Sequence, residues 1–135
     1  MTNADLLFVY GTLRPGHGGP MAQWLIRHAD HREPCWAAGR LYRVADYPGF
    51  VPGSDGRVAG DLFALPNDPT LLAALDEHEE CSDRFPEPHE YRRERLIVQG
   101  RDGPVEAWVY VYSLDVAGLE HIAHGDFLCA GESDR

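Results

Sequence analysis

The chain contains no lysine, so every fixed positive side chain is an arginine, and 12 arginines face 22 aspartates and glutamates for a formal net charge of −10. Nucleic acids are held by clustered basic side chains, and this balance excludes that class of partner. Arg92, Arg93 and Arg95 do cluster, but Glu90 and Glu94 interrupt them. The expectation there is a solvated strand face carrying cross-strand ion pairs. Long apolar runs are also missing. None approaches the roughly 20 residues of a membrane-spanning helix, so no membrane partner is expected. The first residues, Met1-Thr2-Asn3-Ala4-Asp5, show no basic region followed by an apolar core. No secretory signal is read there, and the expected compartment is the cytoplasm.

Cysteine is scarce. Cys35, Cys81 and Cys129 are odd in number and lack a Cys-x-x-Cys spacing, so they build no disulfide framework. His78 with Cys81, and His121 with His124, have helix-compatible spacing, and His17 stands apart. No second pair completes a zinc site, so ordinary polar histidines and no metal are expected. Gly11 and Gly16 have P-loop spacing, but His17 and Gly18 stand where Lys and Ser or Thr must be, so phosphate cradling is rejected. Neither a Gly-x-Ser-x-Gly elbow nor a His-Glu-x-x-His zinc helix occurs.

What is present reads as one domain over residues 1–130 with a frayed tail at 131–135. Leu6 to Tyr10 is a buried strand stopped by Gly11, and Gly11 to Pro20 is a Gly- and Pro-rich loop. Met21 to Ala29 is a short amphipathic helix, with Met21, Trp24, Leu25 and His28 on one side. Cys35 to Val44 and Arg57 to Leu65 are strands, separated by an irregular excursion around Tyr47-Pro48-Gly49 and Pro52-Gly53. Asn67-Asp68-Pro69 caps a helix running to about Glu79. Cys81 to Glu90 is a loop. Tyr91 to Val98 and Val105 to Tyr112 form a hairpin, and Asp115 to Ala123 is expected to be a short helix. This order suits an α+β fold: a small mixed sheet curled or closed into a barrel, with short helices packed outside.

Geometry isolates one residue. At about 100° per residue, Leu71, Leu72 and Leu75 share an apolar stripe, and Glu79 falls in its middle one turn later. Glu77 points the other way, while Asp76 and Glu80 flank the stripe. A carboxylate on a core-facing line is costly unless paired or set at a cavity, which is how a functional acid shows itself. The competing reading is a frayed helix end that lets Glu79 swing into water or pair with an arginine. Tyr10-Gly11-Thr12-Leu13-Arg14 is the second feature. Glycine after a strand lets the backbone turn and offer N–H groups to a ligand's carboxylate or carbonyl oxygen, although such a turn is often only a turn.

Together these stretches resemble the gamma-glutamylcyclotransferase-like family. Tyr10-Gly11-Thr12-Leu13-Arg14 is similar to its YGTLR signature, and Leu75-Asp76-Glu77-His78-Glu79 to its LDxxE stretch. Gly39 to Tyr42, Tyr47 to Gly49, Val58 to Phe63, Tyr91 to Arg93 and Ala107 to Tyr110 follow in the family's order, so the resemblance spans most of residues 6 to 128. One departure is Glu80, where the family commonly has glycine; another is the acidic loop Glu80 to Glu90.

The resemblance implies a closed or nearly closed barrel with a pocket at its mouth. It also implies cyclisation of a small gamma-glutamyl amine to 5-oxoproline, with release of the amine. Glu79 would be the catalytic acid and base, its pKa raised by burial and by Asp76 and Glu80. The backbone of Tyr10, Gly11, Thr12 and Leu13 would hold the glutamyl moiety, and no metal or organic cofactor would be needed. Two rivals are a non-catalytic binding protein for gamma-glutamyl or amine-bearing metabolites on the same scaffold, and a metal-dependent hydrolase built on His78, Cys81 and His89. The leaving amine and the oligomeric state are not encoded legibly.

Overall fold

Strict alternation along the short apolar strands divides the interior in two. The computed structural model describes residues 5–66, 69–80, 85 and 87–130. In β1 (Leu6–Val9), Leu7 and Val9 join one core while Phe8 joins another. Tyr110 and Tyr112 of β5 (Gly103–Tyr112) side with Leu7, and Val109 and Val111 with Phe8. This is the period-two consequence of a pleated strand buried on both faces. The first core also takes Leu25 of α1 (Pro20–His28) and Leu71 and Leu75 of α2 (Pro69–His78), so it is the face on which the helices pack.

The sheet is mixed, with six strands. β1 pairs antiparallel with β3 (Pro48–Ala64) and parallel with β5, while β5 forms a hairpin with β4 (Tyr91–Gly100). β2 (Asp30–Arg43) pairs with β3 along nearly its whole length and touches β4 through Trp36 and Gln99. The pairings β3-β1-β5-β4-β2 therefore return to β3 and close a ring. This is the expected α+β architecture. Among the described residues no helix is long and apolar enough to cross a membrane.

Three expectations are corrected. The irregular excursion around Tyr47 to Gly53 is strand from Pro48 onward: β2 and β3 form one long hairpin from Asp30 to Ala64. Its prolines misled because Pro48 opens β3 and Pro52 sits at the shift between Ala38 and Gly39; Pro34, inside β2, likewise lies beside the register shift at His31/Glu33. Strand starts and bulges are where a missing N–H is tolerated. The helix expected at Asp115 to Ala123 is instead a turn leading to β6 (Glu120–His121), which pairs with β2. There the Asp115 carboxylate accepts from Ala117 N–H, and Gly118 has φ 85°, both of which divert the chain from a helix. A four-residue helix, α3 (Phe127–Ala130), follows. The arginine face is also paired differently. Arg95 does pair across the hairpin with Glu106 at 3.2 Å, but Arg92 pairs with Glu94 on its own strand and Arg93 reaches to α2. The Asn67-Asp68 cap, Cys81 and the tail lie outside the described residues.

Glu80 ends α2 with φ 56°, the left-handed conformation that glycine occupies without strain. The departure from the family's glycine therefore carries a backbone cost. Glu80→Gly is expected to raise stability by about 1 kcal/mol, a melting-temperature gain of a few degrees. Thermal denaturation followed by circular dichroism checks this; an unchanged or lower midpoint would show that the turn relaxes around Glu80.

Candidate active site

A cavity of about 340 Å³ opens where the end of β1 meets the last turn of α2 and the starts of β3 and β4. Both features isolated in the sequence line it: Glu79 from the helix, and Tyr10, Gly11, Thr12 and Leu13 from the turn after β1. α2 is aimed by Leu71 and Leu75, both buried, which contribute about 2 kcal/mol each by leaving water. Helical spacing continues one residue past the last turn, since the Glu79 N–H donates to the Leu75 carbonyl at 2.9 Å. The stripe thus carries Glu79 to the cavity wall, where it is half-buried.

Burial pushes the Glu79 carboxyl up from 4.5 to about 7, and the negative charge of Glu90 adds to the effect. The neighbours are not the expected ones. Asp76 is held by Arg93, whose Nε and Nη2 donate to its two oxygens at 2.8 and 3.1 Å, so its charge is neutralised. Glu80 is exposed to water. Glu90, which sequence reasoning left as one acid in a loop, is placed by Tyr47, whose hydroxyl donates to it at 2.7 Å. That contact and burial push the Tyr47 phenol up to about 12, burial being the larger cause. The signal available in the sequence was that Glu90 immediately precedes the matched Tyr91 stretch.

The turn after β1 is built by three fixtures. Arg14 N–H donates to the Gly11 carbonyl at 3.0 Å and closes it. Among the described residues, the backbone N–H groups of Gly11, Thr12 and Leu13 donate to no protein acceptor, so this wall offers hydrogen-bond donors to a ligand. Tyr10 lines the cavity, yet its hydroxyl works inside the fold: it donates to the Tyr110 carbonyl at 2.5 Å and accepts from Phe50 N–H at 3.3 Å. Burial and the nearby Glu79 hold that phenol well above its usual range. Tyr91 similarly donates to the Pro48 carbonyl at 2.6 Å. Gly11 is not among the glycines with positive φ. Glycine is required there because a Cβ would lie 2.6 and 2.7 Å from the Pro48 ring.

Arg14 supplies the third fixture, which the sequence did not show. Its Nε and Nη1 donate at 2.8 Å to Asp61 and to Asp126, and His31 Nε2 lies 3.0 Å from the other Asp61 oxygen. Asp61 is only 7% exposed, so its charge has to be paired. The pairs tie the turn to β3 and to the segment preceding α3.

Of the proposed metal ligands, His78 lines the cavity while His89 lies 3.1 Å from the Phe85 carbonyl, and Cys81 lies outside the described residues. Cys35 is buried and free, and burial pushes its thiol up to about 12, which leaves it unreactive.

Comparison with solved structures finds the same fold in several proteins. An AIG2-like protein of Mus musculus is 25% identical with a TM-score of 0.71, the match covering 93% of this chain and 88% of that one. The protein ytfP of Escherichia coli is 32% identical with a TM-score of 0.63, covering 96% and 99%. An uncharacterized protein of Pyrococcus horikoshii is 22% identical with a TM-score of 0.69, covering 97% and 96%. No curated protein matches in sequence. The family described as gamma-glutamyl cyclotransferase, AIG2-like, matches residues 7–129, and the chain belongs to it.

Proposed function

We propose that the protein is a gamma-glutamylcyclotransferase-type enzyme that converts a gamma-glutamyl amine to 5-oxoproline and releases the amine, with Glu79 as the acid and base. The observation that carries this reading is a carboxyl poised near neutral pH on the wall of a cavity that is also lined by backbone N–H donors with no protein acceptor among the described residues. A base works best when its pKa lies near the working pH.

The chemistry is intramolecular. Glu79 as carboxylate takes a proton from the substrate's α-ammonium, and the freed nitrogen attacks the γ-amide carbon to form the ring bond. The protonated Glu79 then gives that proton to the departing nitrogen as the γ C–N bond breaks, and takes up the second proton that the ring nitrogen sheds as the lactam forms; this proton leaves with the released amine as its ammonium ion. Water is neither consumed nor formed. Nucleophile and electrophile share one molecule, so most of the acceleration comes from holding the folded substrate in a near-attack geometry. The donors of Gly11, Thr12 and Leu13 suit the substrate's carboxylate or the oxygen that gains charge during attack. The test is a screen of gamma-glutamyl compounds for 5-oxoproline release, with Glu79→Gln as the blank. Release that is equal in the two proteins, or absent with every compound, would overturn the reading.

Charge at the rim narrows the leaving amine. Asp46, Glu80 and Glu90 border the cavity in a chain of net charge −10. Leaving amines that carry an extra positive charge are therefore expected to have several-fold lower KM than ones bearing a carboxylate, and the gap should shrink in high salt as the charges are screened. Steady-state kinetics at two ionic strengths measure it; a preference for the carboxylate-bearing amine would contradict it.

A further inference from the structure

The Asp76 side chain pins the last turn of α2 to the sheet. Asp76 lies three residues before Glu79, on the flank of the buried stripe, and three hydrogen bonds converge on it. Arg93 of β4 donates from Nε at 2.8 Å and from Nη2 at 3.1 Å, a bidentate pair. The Tyr110 hydroxyl of β5 donates at 2.7 Å to the oxygen that Arg93 Nε also contacts. Arg93 is itself braced, its guanidinium lying 4.2 Å from the centre of the Trp108 ring. The apolar grip of α2 comes from Leu71 and Leu75, which lie at or before the turn that begins at Leu75. Beyond Leu75 the chain enters the strained Glu80 conformation within five residues. Apolar packing fixes where the helix lies but allows it to roll and slide; a bidentate charged pair fixes its angle.

We propose that Asp76 is a positioning residue for Glu79: clamped by Arg93 and Tyr110, it sets the rotation of the last turn of α2 and thereby holds the Glu79 carboxyl on the cavity wall. This rests on the reading of Glu79 as the acid and base. A side chain released by about an ångström loses much of the benefit of a near-attack geometry. Most of the cavity's other groups come from other elements, and of those, among the described residues, only Tyr110 touches Asp76. The end of β1 brings Tyr10, the turn at Pro15–His17 brings His17, the approach to β3 brings Asp46 and Tyr47, and the sheet brings Glu90, Tyr91 and Tyr110. From α2 itself and the residues just after it come His78 and Glu80. Asp76 therefore acts through where Glu79 sits. Its own negative charge is compensated by Arg93.

Asp76→Asn keeps the size and one acceptor but breaks the charged pair. It is expected to lower kcat roughly tenfold, with KM changed far less. The acid limb of the kcat/KM profile should also move from about 7 toward the ordinary 4.5, because a freed Glu79 reaches water. Tyr110→Phe removes one bond of the clamp and should shift both quantities in the same direction by less. It also serves if Asp76→Asn proves unfolded. A second readout needs no turnover: ¹³C NMR titration of the glutamate carboxyls, with Glu79→Gln identifying the Glu79 signal. A fall in the Glu79 midpoint in Asp76→Asn supports the clamp even if no gamma-glutamyl compound is turned over, which would count against the proposed reaction alone. A folded Asp76→Asn or Tyr110→Phe protein whose Glu79 midpoint and kcat match the parent overturns the proposal.

Discussion

Glu79→Gln is expected to lose about 10²–10⁴-fold in 5-oxoproline formation while remaining folded. The amide matches the carboxylate in size and preserves the Leu71–Leu75 stripe, so only proton transfer is removed. The pH behaviour makes the prediction sharper. With a folded-state pKa of about 7, the base form that abstracts the proton accumulates only as pH rises through 7, so kcat/KM should climb across that region. Stability runs the opposite way. Because the folded value is raised above 4.5, the contribution of Glu79 is complete below about 4.5 and is lost as pH rises through about 7, by at most about 3 kcal/mol. Glu79→Gln does not titrate, so its stability relative to the parent should improve between pH 5 and pH 8. Glu77→Gln, on the opposite side of the helix, should keep near-parental activity. Kinetics and thermal melts at both pH values test all of this. Equal losses in the Glu77 and Glu79 variants, or a nearly active Glu79→Gln, would remove Glu79 from the role assigned to it.

How far the sequence could be read follows from which interactions are local. The helix stripe is local: Leu71, Leu75 and Glu79 are a turn apart, and the wheel that sorts them is a property of one segment. The same holds for β1 and for the β4–β5 hairpin, whose alternation and Gly100–Gly103 turn lie within a few residues. Prolines at Pro34, Pro48 and Pro52 broke that logic, since whether a proline interrupts a strand depends on which partner carbonyl faces it across the sheet. Glu90 and Asp76 show the limit for chemistry. Both were visible as acids near Glu79 in sequence, yet one is neutralised by Arg93 and the other is the charge that acts on Glu79. Which acid pairs with which base is decided by strand register, and register is set by contacts between segments far apart in the chain. Asp61 is the clearest case. Its partners Arg14 and His31, and the Asp126 that Arg14 also holds, come together only once β2, β3, the loop and the C-terminal segment are assembled.

Gly11→Val is expected to raise KM by about tenfold or more and to cost about 1–3 kcal/mol of stability, the usual penalty for overpacking. Backbone conformation is not the reason, since Gly11 lies outside the positive-φ region. The obstacle is Pro48, whose Cγ and Cδ would stand 2.6 and 2.7 Å from any Cβ at position 11. Proline cannot rotate out of the way, and Pro48 is further fixed as the first residue of β3 and by its carbonyl accepting from the buried Tyr91 hydroxyl. A side chain at Gly11 therefore has to move the turn itself, and with it the N–H donors that line the cavity. Gly11→Ala should show the same change in smaller degree. Thr12→Val keeps the backbone and removes a hydroxyl, so its KM should change little if recognition is through the main chain. The Pro48 contact can be isolated by a double-mutant cycle: Pro48→Ala opens the space, so Gly11→Ala should cost less in that background than in the parent. Steady-state kinetics with circular dichroism on the four proteins measures the coupling. If Gly11→Ala binds and melts like the parent, or if Pro48→Ala does nothing to soften it, the turn is not held by this contact and the cavity wall is set elsewhere.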